Sequence, residues 1–184
     1  MAKIEKSIEV NAPLRAVYNQ WTQFEEFPCF MQGVKEVQQL DDTHLHWCAK
    51  VAGKEVEWDA EIFEQVPDQR ISWRSTSGKE NAGTVHFEAL ANDRTKVFLS
   101  MTYDLEGIAE NLGDAVGVTS HRVSGDLKRF KKFIEDRGTE TGAWRGEVHG
   151  GAKSAQPRTP NRGPEVLEAL SHHHRQRGHS WRPS

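Results

Sequence analysis

The stretch EVEWDAEIFEQVPDQRISWRS, residues 55–75, carries the pattern that decides the fold. Apolar and polar side chains alternate along it, and the alternation resumes after the turn at Pro67-Asp68. Such alternation predicts two half-buried strands joined by a tight turn. The apolar side consists of Val56, Trp58, Ala60, Ile62, Ile71 and Trp73. Its two tryptophans either fill a core or line a cavity.

Strand patterns recur on both sides of this hairpin. Short turn signals of Gly, Pro, Asn and Asp separate them, which favours antiparallel pairing in a meander. Together with the N-terminal strand they predict a seven-stranded sheet. The predicted strands are 2–10, 34–40, 44–51, 54–66, 70–76, 83–90 and 96–105.

Two regions have helical rather than alternating periodicity. Residues 11–27 predict two short helices, which Pro28 interrupts. Near the other end, Val123, Leu127, Phe130 and Ile134 are spaced by three or four residues, as on an amphipathic helix that begins near Thr119 and ends at Gly138. The fold class is therefore α+β.

Composition separates a folded body from a tail. Residues 1–138 carry the apolar patterns and a net charge of −6, whereas 139–184 carry +3 and are rich in Gly, Pro, Arg and His. We expect 139–184 to be mostly disordered, because it has too little apolar surface to offset its chain entropy. An acidic body also argues against a nucleic-acid partner.

The chain has no features of an exported or membrane-spanning protein. The N-terminus MAKIEKSIEV is charged and alternating, unlike a signal peptide, and no apolar run approaches the roughly 20 residues that span a bilayer. Its two cysteines, Cys29 and Cys48, match no metal-binding spacing. We therefore expect a cytoplasmic protein without an integral membrane segment.

Four segments resemble the START-like, or helix-grip, superfamily, and in particular the bacterial stand-alone members of its polyketide cyclase/dehydrase and coenzyme Q10-binding families. They are SIEVNAPLRAVYNQWTQFEEFPCFM (7–31), VEWDAEIFEQVPDQRISWRS (56–75), NAGTVHFEAL (81–90) and DLKRFKKFIE (126–135). The resemblance covers about residues 2–137. It implies a curved antiparallel sheet wrapped around the long C-terminal helix, with a cavity between them.

A cavity there would be lined by the inward side of the strands and by one face of the helix. We predict the ligand-pocket residues to be Trp47, Trp58, Trp73, Ser75, Phe87, Met101, Tyr103, Val123 and Leu127. The segment FEEFPCFMQGV, 24–34, lies near the expected mouth. We predict that it forms a lid through Phe24, Phe27, Phe30 and Met31, although the same side chains would also suit a contact patch for a partner.

The function that these features favour is the binding of a hydrophobic small molecule: a lipid, a quinone or an aromatic polyketide. No catalytic set is recognisable, and we expect no metal or cofactor. Two alternatives stay open. One is a polyketide cyclase or dehydratase, in which Tyr103 and Ser75 donate hydrogen bonds and His121 or Arg122 assist. The other is an interaction module for a ribosomal or respiratory protein.

Overall fold

The computed structural model describes residues 2–51, 53–104, 115–150, 152–154 and 159–160. Seven strands form the main sheet: β1 (Ala2–Val10), β2 (Val34–Gln39), β3 (His44–Val51), β4 (Lys54–Val66), β5 (Arg70–Gly78), β6 (Asn81–Leu90) and β7 (Arg94–Tyr103). The helices are α1 (Leu14–Trp21), a 3₁₀ helix (Phe24–Cys29) and the long α2 (Ala115–Arg137). Short strands follow: β8 (Gly142–Ala143), β9 (Glu147–His149), β10 (Ala152–Ser154) and β11 (Thr159–Pro160).

The main sheet is antiparallel throughout, in the order β1-β7-β6-β5-β4-β3-β2. Its strands pair with their neighbours in sequence, except that β1 closes onto β7. The register shifts twice between β4 and β5, at Asp59/Ala60 and at Ile62/Glu64. Such bulges bend a strand and increase its twist. The sheet curves around α2, which confirms the predicted α+β helix-grip fold and the two short helices after β1.

Helix α2 buries the predicted apolar stripe against the sheet. Val123, Leu127, Phe130 and Ile134 are all buried. The helix ends as predicted, because the Gly138 N–H donates to the Ile134 carbonyl at 3.0 Å. It begins at Ala115, four residues earlier than the glycine content predicted. No helix in the described part of the chain is long and apolar enough to cross a membrane.

Aromatic side chains from the short helices fill one end of the space between sheet and helix. Trp21 of α1 packs edge-on against Phe130 of α2, with ring centroids 5.0 Å apart. It also meets Phe27 at 5.5 Å and Phe87 of β6 at 6.1 Å. Edge-to-face rings at these distances are favourable beyond their burial. This end of the interior is therefore a packed aromatic core.

The segment after α2 packs on the domain rather than leaving it. Trp144 and Val148 are fully buried, and β9 pairs with the end of β4 through Glu64 and Gln65. Arg145 forms two hydrogen bonds with the Asp68 carboxylate, at 2.7 and 2.9 Å. The folded unit thus extends past the predicted boundary at 138, to at least residue 149. One tryptophan and one valine bury this segment against the domain. The average composition of residues 139–184 does not reveal them.

The structure describes little of the remaining part of the predicted tail. Residues 161–184, which include the histidine-rich run 171–179, lie outside the described residues. The expectation that they are disordered stays a prediction.

Trp144→Ala should strongly destabilise the domain. The side chain is 1% exposed, and large-to-small changes at such positions cost about 3–5 kcal/mol. Urea unfolding followed by circular dichroism measures the loss. Leu40→Ala is the control, because Leu40 is 59% exposed and should change stability by less than about 0.5 kcal/mol. A Trp144→Ala protein as stable as the control would show that residues 139–149 do not belong to the folded unit.

Candidate functional site

A cavity of about 260 Å³ lies between the sheet and α2, next to the aromatic core, which supplies Trp21 and Phe27 to its wall. Its walls come from every predicted inner-face position of β3 and β4: Leu45, Trp47, Ala49, Val51, Val56, Trp58, Ala60 and Ile62. The volume lies near the lower bound of ligand pockets, which hold roughly 300–1,000 Å³. It suits a molecule of a few fused rings or a short acyl chain.

Three tryptophans, from β3, β4 and β5, line the cavity. Trp47 and Trp58 face each other across β3 and β4 and stack with ring planes 6° apart and centroids 5.7 Å apart. Trp73 of β5 donates its indole N–H to the Asn81 side-chain oxygen at 3.3 Å. All three are half-buried rather than fully buried, because one side of each meets the cavity. The tryptophans therefore line a vacancy instead of closing the core.

Gly83 is what allows Trp73 to lie flat on the sheet. The two residues are directly opposite each other on β5 and β6. A Cβ atom at Gly83 would come within 2.7 Å of the Trp73 ring atom Cη2 and 2.8 Å of the Ser100 carbonyl oxygen. The Ser100 oxygen is part of the backbone of β7, and the Trp73 ring is held in place by its hydrogen bond to Asn81. The missing side chain at 83 thus sets the shape of this wall.

Four more of the predicted pocket residues line the cavity: Met101, Tyr103, Val123 and Leu127. Two do not. Phe87 lies in the aromatic core, with its ring 5.3 Å from that of Tyr18. Ser75 lies outside the cavity and accepts a hydrogen bond from the Asn81 N–H at 3.1 Å. Alternation assigned the correct face to both residues, but it carries no information on depth along the strand.

The predicted lid residues are parts of the wall. Phe24, Phe27 and Phe30 are at most 5% exposed, so they do not form an exposed contact patch. Phe24, Phe27 and Met31 line the cavity. Phe30 points instead to α2, where its ring lies 5.2 Å from that of Phe130. Whether the 3₁₀ helix moves as a lid stays a prediction.

Tyr103 lines the cavity and has a buried hydroxyl without a hydrogen-bond partner among the described residues. The residue as a whole is 7% exposed. An unpaired buried hydroxyl costs free energy relative to a paired one. A carbonyl or hydroxyl of a bound molecule would supply the missing partner.

Sequence reasoning missed a charged group on the cavity wall, Asp126. It lies one residue before Leu127 on α2 and is held by the Gln32 N–H at 2.8 Å and by Arg129. Burial raises the pKa of its carboxyl, although the hydrogen bonds from Arg129 and Gln32 act in the opposite direction. An acidic residue beside an apolar helical stripe was the available signal. Of the two helical candidates, Arg122 lines the cavity, whereas His121 is exposed to solvent.

Two histidines of β3 pair with carboxylates. His46 Nδ1 lies 2.7 Å from an Asp59 oxygen, and His44 Nδ1 lies 3.0 Å from Asp41. Within the described ranges no cluster of three or more His, Cys, Asp or Glu side chains is arranged to hold a metal ion. None of these four side chains lines the cavity.

Sequence comparison gives two strong matches. A family model described as polyketide cyclase/dehydrase and lipid transport matches residues 10–132. An uncharacterized 17.2 kDa protein of Streptomyces lincolnensis is 51% identical over 149 residues, which is 80% of this chain and 99% of that protein.

Solved structures with the same fold span about three quarters of the chain. A Deinococcus radiodurans protein has a TM-score of 0.59 at 27% identity, over 74% of this chain and 99% of its own. The Zhui aromatase/cyclase of a Streptomyces species has a TM-score of 0.60 at 16% identity, over 74% and 94%. A START superfamily protein of Mycobacterium smegmatis has 0.57 at 14%, over 73% and 95%. At identities of 16% and 14% the last two show a shared fold alone.

Gly83→Ala should displace the Trp73 ring and destabilise the protein. Forcing a methyl group into a packed contact typically costs about 1–3 kcal/mol. Urea unfolding measures the loss, and the near-ultraviolet circular dichroism of the tryptophans should change in the same variant. Thr76→Ala, at an exposed position of β5, is the control. If Gly83→Ala matches wild type in both measurements, Trp73 does not depend on the close approach at residue 83.

Proposed function

Because the chain belongs to the polyketide cyclase/dehydrase and lipid transport family, we propose that it binds a hydrophobic small molecule in the cavity between its sheet and α2. The proposed ligands are a lipid, a quinone or an aromatic polyketide-like molecule. The observation that carries the proposal is the cavity wall, in which stacked Trp47 and Trp58 and the half-buried Trp73 meet empty space.

The wall favours flat, unsaturated guests. Aromatic faces bind other rings through offset stacking and through apolar burial. Pockets of this kind are mostly apolar and use a few placed polar groups to orient the ligand. In this chain the orienting group is the Tyr103 hydroxyl, which we propose to be hydrogen-bonded to a ketone, quinone or hydroxyl oxygen of the ligand.

The first experiment is native mass spectrometry of the purified protein, with organic extraction of anything that co-purifies. We expect a bound hydrophobe, or saturable quenching of tryptophan fluorescence by an added quinone that is weakened in Trp58→Ala. A protein that carries no adduct and responds to neither a quinone nor a fatty acid would contradict the proposal.

Tyr103→Phe should weaken the binding of a ketone without harming the fold. Equilibrium dialysis with acetylnaphthalene and its hydrocarbon counterpart ethylnaphthalene separates the two effects. We expect about tenfold weaker ketone binding and unchanged hydrocarbon binding, since one hydrogen bond is lost. Without ligand the variant should be as stable as wild type, or up to about 1 kcal/mol more stable, because an unpaired buried hydroxyl is removed.

Tyr18→Phe is the matched control, since Tyr18 is the other of the two tyrosines in the chain. Its hydroxyl accepts a hydrogen bond from the Gln65 side chain at 3.0 Å in the packed core. This change should cost about 1–2 kcal/mol of stability and leave both affinities unaltered. Equal ketone affinities of Tyr103→Phe and wild type would remove Tyr103 from the binding role.

A second candidate is a cyclase or dehydratase, which the polar groups Asp126 and Arg122 on the cavity wall favour. Enolisation and ring closure need an acid or base whose pKa lies near the working pH, and burial moves the pKa of Asp126 in that direction. A short tri-β-ketone that closes to an aromatic diol with loss of one water is the test substrate. Faster closure than in buffer, lost in Asp126→Asn, would support this candidate, and an uncatalysed rate would end it.

A further inference from the structure

The charged residues that line the cavity are grouped at its mouth. They lie where β3, β5 and β7 end and in the first half of α2, and the deeper wall is apolar. The group consists of Lys50, Lys79, Glu80, Asp104, Arg122 and Asp126. A guest with an apolar body would therefore have its polar end among charges.

The acidic residue of this group on α2 already forms an ion pair with a basic residue. Asp126 pairs with Arg129 and accepts a hydrogen bond from the Gln32 N–H. The Arg129 Nε donates to the Phe30 carbonyl at 2.9 Å. Arg129 is thus engaged on both sides, and the pair ties α2 to the 30–32 segment. Asp126 attracts Arg122 across one helical turn but forms its salt bridge with Arg129, so Arg122 has no hydrogen-bonded carboxylate among the described residues.

Arg122 has unused donors at the cavity wall. It is half-buried, and the hydrogen bond that its side chain forms among the described residues is a long contact of 3.5 Å from Nη1 to the Lys50 carbonyl. No carboxylate of the described side chains forms a salt bridge with it, whereas Arg70, Arg74, Arg94, Arg129 and Arg145 each have one. A guanidinium has five N–H donors in a planar fork, which matches a carboxylate with two parallel hydrogen bonds. A partly desolvated charge without a partner is unfavourable, and a bound anion would relieve that cost.

We infer that the ligand is an apolar molecule with a terminal carboxylate, which Arg122 binds at the mouth while the apolar body lies against the tryptophans. The inference rests on the proposed binding function and narrows its ligand class. It predicts that the apolar body of the ligand lies deep in the cavity and that its carboxylate lies at the mouth. The apolar wall gives affinity for the body, and Arg122 selects acids over neutral analogues of the same shape.

The test compares naphthoate with naphthamide, two flat molecules that differ in charge and hardly in size. Equilibrium dialysis at pH 7 measures both affinities for the full chain. We expect wild type to bind the acid about tenfold or more tightly than the amide, as charge-assisted hydrogen bonds are stronger than neutral ones. Arg122→Gln should lose this preference and keep the amide affinity.

Two further variants separate recognition from general charge. Lys128→Gln removes an exposed cation of the same helix, which does not line the cavity. It should keep the acid preference. Arg122→Lys should retain part of it, because an ammonium keeps the charge but not the fork. Thermal unfolding verifies that all variants are folded.

The results of these experiments distinguish failure of this inference from failure of the proposed binding function. Equal binding of acid and amide by wild type, or a preference unchanged in Arg122→Gln, would overturn the role of Arg122 and leave the proposed binding function standing. Binding of the amide but not the acid would also overturn it. If neither compound binds and no other hydrophobe does, the proposed function itself fails.

Discussion

Trp21 packs between the long helix and the sheet, with its ring 5.0 Å from Phe130, and the interior divides around this contact. A single helix is about 10 Å wide, so it cannot cover the full width of a seven-stranded sheet. At one end α1 and the 3₁₀ helix add Tyr18, Trp21 and Phe27 to fill the remaining space. Beyond them the tryptophans of β3, β4 and β5 do not fill the space, and the cavity remains. The same short helices therefore create the core and define the floor of the pocket.

The cavity combines an apolar body with a polar mouth. Its tryptophans are held by specific devices: stacking for Trp47 and Trp58, a hydrogen bond to Asn81 for Trp73, and the absence of a side chain at Gly83. Tyr103 keeps an unpaired hydroxyl there, which costs stability in the empty protein. Polar groups that weaken the fold on residues that line a cavity are typical of binding sites, where a ligand can supply the missing interaction. Arg122 is a second such group, at the entrance.

The segment 139–149 shows how a few residues extend a domain. Its composition resembles a linker, yet Trp144 and Val148 are buried, β9 pairs with β4, and Arg145 binds Asn19 of α1 and Asp68 of the turn after β4. A buried tryptophan contributes several kcal/mol, which offsets the chain entropy of a short segment but not that of a long one. Average composition could not reveal this, because the anchor is a property of single positions.

Sequence alone determined the strands, their antiparallel order of pairing and the inner face, because alternation and turn residues are local properties of the chain. It also determined the apolar stripe of α2 and, through resemblance, the helix-grip architecture. Trp47, Trp58, Trp73, Met101 and Tyr103, which the alternation puts on one face, line the cavity. Only the tertiary structure decided which inner residues meet space and which meet other rings, as the difference between Trp73 and Phe87 shows. Depth along a strand and the distance to residues far apart in the chain, such as Arg122 and Lys50, depend on how the sheet curves, and no local pattern encodes that curvature.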